Sequence, residues 1–121
     1  MASTKTATAL FNTTTLTADA GDTTSSVVSL VDGYGAAAFL KLENGATGPT
    51  IAAQIQIELS GDNTEWYKFG GALVGSTAND AITSWAAIEI PIAAKYLRLV
   101  AGSNTDQDVT ADADVVELEK V

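Results

Sequence analysis

The alternation in IAAQIQIELS, residues 51–60, constrains this chain more than any other feature. Ile51, Ala53, Ile55, Ile57 and Leu59 share one parity, and Ala52, Gln54, Gln56, Glu58 and Ser60 share the other. That is the two-residue period of a strand with one buried and one wetted face. The run Ser60-Gly61-Asp62-Asn63-Thr64 follows, and then a second strand, Glu65 to Phe69, carries Trp66 and Tyr67. Asp and Asn bond to nearby amides and tolerate left-handed backbone, so the stretch predicts a hairpin with an aromatic anchor just past its turn.

Short pieces of the same pattern recur along the chain. Thr6 to Leu16 is threonine-rich, with Leu10, Phe11 and Leu16 as its large apolar groups, which suits an edge strand. Ser25 to Val31 predicts a second strand. Ala38, Leu40 and Leu42, alternating with Phe39, Lys41 and Glu43, predict a third. Gly70 to Asp80 is glycine-rich and aperiodic, which predicts a long surface loop with a short extended piece at Ala72 to Val74. Ala86, Ile88, Ile90 and Ile92 face away from Trp85, Ala87 and Glu89, and Leu97, Leu99 and Ala101 face away from Tyr96, Arg98 and Val100.

In the last element Val109, Ala111 and Ala113 keep one register while Val116 and Leu118 keep the other, which predicts a β-bulge near Asp114 or Val115. No stretch sustains a helical period. About eight short strands with turns between them predict an all-β, single-domain, two-sheet antiparallel β-sandwich, jelly-roll-like, over residues 1–121. Residues 1–16 are read as a first strand, alone or with an N-terminal arm reaching a neighbouring molecule.

Composition narrows the chemistry. The 121 residues include no cysteine and no histidine, which removes disulfides, thiolate chemistry, Cys/His zinc sites and the commonest general base. Asp112 and Asp114 share a strand face in the manner of a solvated surface rather than an acid/base pair, and glycines 70, 71 and 75 lack the lysine and helix start of a phosphate loop. No enzyme and no cofactor are expected. Asp106, Asp108, Asp112 and Asp114 match no calcium-loop spacing and are read as surface charge, so no metal is expected either.

Fifteen acidic residues against six basic ones give a charge of −9, which repels nucleic acid and anionic lipid, so neither is an expected partner. MASTKTATALFNTTT has one lysine and no sustained apolar run, so neither a secretory signal nor a membrane anchor is expected and synthesis is expected in the cytoplasm. The sole arginine, Arg98, alternates with Leu97 and Leu99 and is expected to pair with an acidic neighbour. If Trp66 and Tyr67 lie on a strand, one ring points inward. The other, beside Asp62 and Asn63, could form a glycan platform, and the competing structural role is a tryptophan closing one end of the sandwich.

Two segments carry a resemblance: Gln56-Ile57-Glu58-Leu59-Ser60-Gly61-Asp62-Asn63-Thr64-Glu65-Trp66 and Ile90-Pro91-Ile92-Ala93-Ala94-Lys95-Tyr96-Leu97-Arg98-Leu99-Val100. A strand ending in Ser-x-Asp, a tryptophan four residues after the Asp, and a later Lys-Tyr-Leu-Arg-Leu strand resemble galactose-binding-like jelly rolls. They also resemble tailed-phage capsid decoration (cement) proteins. The discoidin-type members present hydrophobic or basic loop spikes, which this chain lacks. The decoration-protein resemblance implies a structural virion component on the outer capsid surface, made in the host cytoplasm and bridging neighbouring subunits of the major capsid protein. It also implies self-association as a dimer or trimer, with Leu10, Phe11 and Leu16 of the arm as candidate partner contacts. The alternative is a carbohydrate-binding module on a phage tail or fibre, using Asp62, Asn63, Trp66 and Tyr67.

Overall fold

The computed structural model describes residues 4–120. Nine strands are formed in chain order: β1 (Thr4–Leu16), β2 (Thr23–Thr24), β3 (Val28–Ser29), β4 (Ala36–Asn44), β5 (Gln54–Ser60), β6 (Tyr67–Val74), β7 (Thr83–Ile90), β8 (Tyr96–Gly102) and β9 (Val109–Lys120). They build a four-stranded sheet in the order β1-β9-β4-β7 and a facing sheet in the order β2-β8-β5-β6, with β3 also on β8. All pairings are antiparallel. Because β2 and β3 occupy one position against β8, the architecture is an eight-position jelly roll, as the strand pattern predicts.

The core lies between the sheets and uses side chains of unequal size. On the inner face of the four-stranded sheet Ala38, Ala111 and Ala113 alternate with Leu40, Leu42, Val109 and Val115, while Ile55, Ile57, Leu97 and Leu99 line the other. Small residues interspersed with large ones let the two layers interlock, which is how an alanine-rich chain reaches native packing density. Each fully buried Ile or Leu here contributes roughly 1.5–3 kcal/mol of transfer free energy.

Several expected boundaries move, each for a local reason. The alternating run becomes a strand only from Gln54, and Ile51 is exposed. Ser25–Val31 is interrupted: the Ser25 hydroxyl accepts the Leu99 amide at 2.9 Å, standing in for a ladder bond, and Val27 is left exposed before β3 begins. The expected loop after Gly70 is instead the second half of β6. Gly70 adopts φ +67°, a conformation suited to glycine, and forms a bulge opposite Gln56. The Gln56 side-chain amide donates to the carbonyls of Phe69 (3.2 Å) and Gly70 (3.3 Å), satisfying groups the bulge frees.

The predicted bulge near Asp114 or Val115 is also corrected. Along β4, β9 keeps an unbroken register from Ala36↔Glu117 to Asn44↔Val109. The irregularity belongs to β1, whose register against β9 shifts between Ala9 and Phe11 and again between Phe11 and Thr14. Thr13 takes φ +48° there, and its amide donates to Asp112 Oδ1 at 2.7 Å. Val116 and Leu118 change parity because they face outward, not because their strand kinks. Ile92 is likewise exposed, since β7 stops at Ile90 and Pro91 opens a turn closed by the Ala94 amide on its carbonyl.

Candidate functional site

In a sandwich the outer faces should be polar, and the five-stranded sheet obeys. Gln54, Gln56, Glu58, Lys68 and Ser103 line a shallow depression there. The four-stranded sheet does not. At one end its outer face carries Ala37, Phe39, Ala87, Val116 and Leu118 side by side. The pairings Ala37↔Val116 and Phe39↔Ala87 are direct cross-strand neighbours, so the apolar groups form one continuous patch.

Two aromatic rings stand on this patch with little cover. Trp85 retains 74% of its accessible surface and Phe39 48%. A third, Tyr34, is brought to the patch by the loop before β4. Its amide donates to the Leu118 carbonyl at 2.6 Å and the Leu118 amide donates to the Gly35 carbonyl at 2.8 Å, which lays the loop against the end of β9. Lys41, opposite both Trp85 and Asp112, marks where the face turns charged, and its ammonium lies 3.8 Å from Asp112 Oδ2. A broad, open apolar depression rimmed by charge, here Lys5 and Glu89, is the signature of a protein-contact surface.

The residues singled out in the sequence fall elsewhere. Phe11 (3% exposed) and Leu16 (1%) are spent in the chain's own core, and Leu10 packs against it. β1 pairs with β9 and turns Phe11 and Leu16 inward, which leaves neither side chain free for a partner, while Leu10 stays half-buried. Ala2 and Ser3 of the expected arm lie outside the described residues.

At the β5–β6 hairpin Asp62 and Asn63 build the turn itself. The amides of Thr64 and Glu65 each donate to Asp62 Oδ1 at 2.9 Å, and the Asn63 amide donates to Ser60 Oγ at 2.9 Å with Asn63 at φ +60°. The Glu65 and Thr64 amides, with the Ser60 hydroxyl, hold the Asp62 carboxyl below its ordinary value. Trp66 is half-buried under Arg98, whose guanidinium carbon stands 4.4 Å from the ring centroid. Arg98 in turn donates from Nε to Glu58 Oε1 at 2.7 Å, the acidic pairing expected of it. Tyr67 is the exposed ring of the pair at 65%, with its hydroxyl donating to Glu65. Asp62 and Asn63 thus make the turn, Trp66 sits on the Arg98 side of the hairpin, and Tyr67, in register with Leu59, is the exposed ring.

The aspartates of the last quarter are structural ties that diverge. Asp108 accepts the Ala18 amide at 2.8 Å, Asp112 the Thr13 amide, and Asp106 the Thr50 hydroxyl. Among the described residues no three carboxylates gather into a metal-ligating group.

The exposed face escaped attention in the sequence, although its signal was there. Phe39 shares parity with Lys41 and Glu43, and Trp85 shares parity with Glu89. An aromatic in phase with charged residues on a strand whose other face is apolar points to solvent.

No family model matches the chain, and no curated protein matches it in sequence. Solved structures do match in fold. The SPBc2 prophage-derived protein YomS is 17% identical with a TM-score of 0.51, over 96% of this chain and 96% of that one. The infectious bursal disease virus VP2 subviral particle matches at 13% identity and a TM-score of 0.58, over 96% of this chain but 32% of that one, so this chain spans about a third of that chain's length. A family 16 carbohydrate-binding module matches at 10% identity and a TM-score of 0.52, over 81% of this chain and 70% of that one. At these identities the likeness is one of β-sandwich fold.

Proposed function

We propose that this chain is a structural virion protein that decorates a phage capsid and bridges neighbouring subunits of the major capsid protein, with the outer face of the β1-β9-β4-β7 sheet as its docking surface. The observation that carries the proposal is the placement of Trp85 and Phe39, two large rings left uncovered on the outer face of a regular sheet. Aromatic anchors on an open apolar patch are what protein–protein contacts are built around. The end-to-end fold match to a prophage-derived protein and the match to a chain of a viral subviral particle support the setting. A charge of −9 favours the outer surface of the shell, away from packaged DNA. No catalytic role is assigned.

Quantitative mass spectrometry of purified particles tests the proposal. A copy number comparable to that of the major capsid protein is expected. Absence from the particle would refute a virion role, and a handful of copies would shift the protein to a tail or fibre.

One observation favours a second reading, a carbohydrate-binding module. The outer face of the five-stranded sheet presents amide, carboxylate and ammonium groups at Gln54, Gln56, Glu58 and Lys68, with exposed Tyr67 on the same hairpin. A row of amide, carboxylate and ammonium groups suits the hydroxyls of a sugar, with Tyr67 exposed on the opposite face of its strand in register with Leu59, and the fold match to a carbohydrate-binding module agrees. Retention of the protein on immobilised polysaccharide, lost in Lys68→Ala, is the outcome that would promote it.

A further inference from the structure

The two sheets have four edges, and three of them are blunted. β1 carries three register shifts, β6 carries the Gly70 bulge and Lys68, and the position of β2 and β3 is broken into two-residue pieces. β7 is different. Its register with β4 runs unbroken from Ala36↔Ile90 to Glu43↔Thr83, and the strand TSWAAIEI contains no lysine, proline or glycine and one charge, Glu89. A long, flat, charge-poor edge is a template for another strand.

The hydrogen-bond phase of that edge follows from one contact. The Asn44 amide donates to the Ile82 carbonyl at 3.0 Å, one step beyond Glu43↔Thr83 in the same register. Bonding alternates along an antiparallel ladder, so Ser84, Ala86, Ile88 and Ile90 direct their main-chain groups to β4. Thr83, Trp85, Ala87 and Glu89 therefore direct their N–H and C=O groups away from the sheet, along the free edge. The core is also thinly covered there: Ile88 packs against it yet is only half-buried, whereas its partner Ala38 on β4 is fully buried.

We infer that β7 is the seat of a two-fold dimer, in which the β7 strands of two copies pair antiparallel about an axis through Ala86. This register keeps outer residues with outer residues and places Trp85 opposite the partner copy's Ala87, a large side chain over a small one. Thr83 stands opposite the other copy's Glu89, so the only charge on the strand never meets its own image. All four outward-directed residues of each copy bond reciprocally, about eight main-chain hydrogen bonds in total. An axis at Glu89 would oppose two carboxylates, and an axis at Ala87 would leave Thr83 opposite Pro91, which has no N–H. The result is one continuous sheet of eight strands, with the two apolar faces meeting at the axis. The charge of −9 on each copy opposes association, so the dimer tightens as salt rises. The inference stands independently of the capsid proposal.

Sedimentation of the full chain tests it. Wild type is expected at twice the mass of one chain, and Ala87→Pro at the mass of one, because proline removes an outward N–H while leaving the β4 ladder intact. The axis is tested separately in the otherwise cysteine-free chain. Under copper-catalysed air oxidation Ala86→Cys is expected to form a disulfide dimer, since facing non-hydrogen-bonded residues lie about 4.5 Å apart between Cα atoms, within disulfide range. Thr83→Cys is expected to remain uncrosslinked. A monomeric wild type, including one whose β7 instead accepts a strand of another protein, overturns the inference. So does a folded Ala87→Pro dimer, or Thr83→Cys crosslinking as readily as Ala86→Cys.

Discussion

Arg98 and Glu58 face each other across β8 and β5, with Arg98 Nε 2.7 Å from Glu58 Oε1, and the guanidinium lies over the Trp66 ring at 4.4 Å. One cation thus ties the centre of the five-stranded sheet to the residue that follows the hairpin turn. The pair is largely sheltered, with side-chain exposures of 29% and 15%, so solvent screening removes only part of its strength. Arg98→Ala is expected to cost about 1.5–3 kcal/mol, the range of a charge-assisted hydrogen bond. Arg98→Lys should recover only part, because an ammonium lacks the planar surface that stacks on Trp66. Urea denaturation measures both, and equal midpoints for Arg98→Ala and wild type would show that the contact contributes nothing.

The same neighbourhood shows what could be read in advance. The two-residue period of β5 and the Ser-Gly-Asp-Asn turn are local, and local physics sufficed for them; the need of a sole strand arginine for an acidic partner was legible too, though which acid, Glu58 on the neighbouring strand, was not. Two other features depend on pairs of strands. Val116 and Leu118 change parity with the earlier part of β9, and sequence alone cannot tell a bulge from an outward apolar patch. The answer lies in β4, whose Ala37 and Phe39 stand beside them on the outer face. Gly70-Gly71 likewise suggested a loop, and only the Gln56 side chain across the ladder shows why a strand survives two glycines. The burial of Phe11 and Leu16 was not legible, because an edge strand and a free arm have the same composition.

The Asp62 turn should respond to acid in a defined direction. Its carboxyl is held below the ordinary 3.8 by the Glu65 and Thr64 amides and the Ser60 hydroxyl. A depressed native value means the carboxylate stabilises the folded turn above the unfolded value. That contribution is lost as pH falls through the folded one. Amide exchange at Thr64 and Glu65 is therefore expected to accelerate in Asp62→Ala at neutral pH, and a carboxyl NMR titration should place Asp62 below 3.8. A titration at or above that value would contradict the bonding described.

Asn44 secures the connection between β6 and β7. Buried at the end of β4, its side-chain amide donates to the carbonyls of Ser76 (2.8 Å) and Ala78 (3.0 Å). Gly48 closes against the same segment, where a Cβ would meet the Thr77 and Ala78 carbonyl oxygens at 2.3 Å. Asn44→Leu strands two carbonyls and should destabilise by about 1–3 kcal/mol. Gly48→Ala should also destabilise, because it presses on main chain that cannot rotate away. Thermal unfolding of the two variants checks both, and wild-type midpoints would show that the connection holds without these contacts.

The outer face of the four-stranded sheet permits a separation of stability from binding. Phe39 lies on the interior strand β4, pointing outward at 48% exposure opposite Asp114 of β9, so Phe39→Asp removes no core packing but sets two carboxylates side by side and should cost folding only about 1 kcal/mol. If the face docks on a capsid subunit, the same change places an unpaired carboxylate in a desolvated contact. It should weaken binding to particles lacking this protein by about 2 kcal/mol or more, roughly thirtyfold. Phe39 is set one strand in from the free edge of β7, so this loss is separable from any loss of strand pairing. Trp85 supplies an optical counterpart. In Trp66→Phe it is the sole tryptophan, and its emission should move to shorter wavelength and resist acrylamide quenching once the protein is on a particle. Full binding by Phe39→Asp, with Trp85 still quenched as in free protein, would place the capsid contact on another surface of the sandwich.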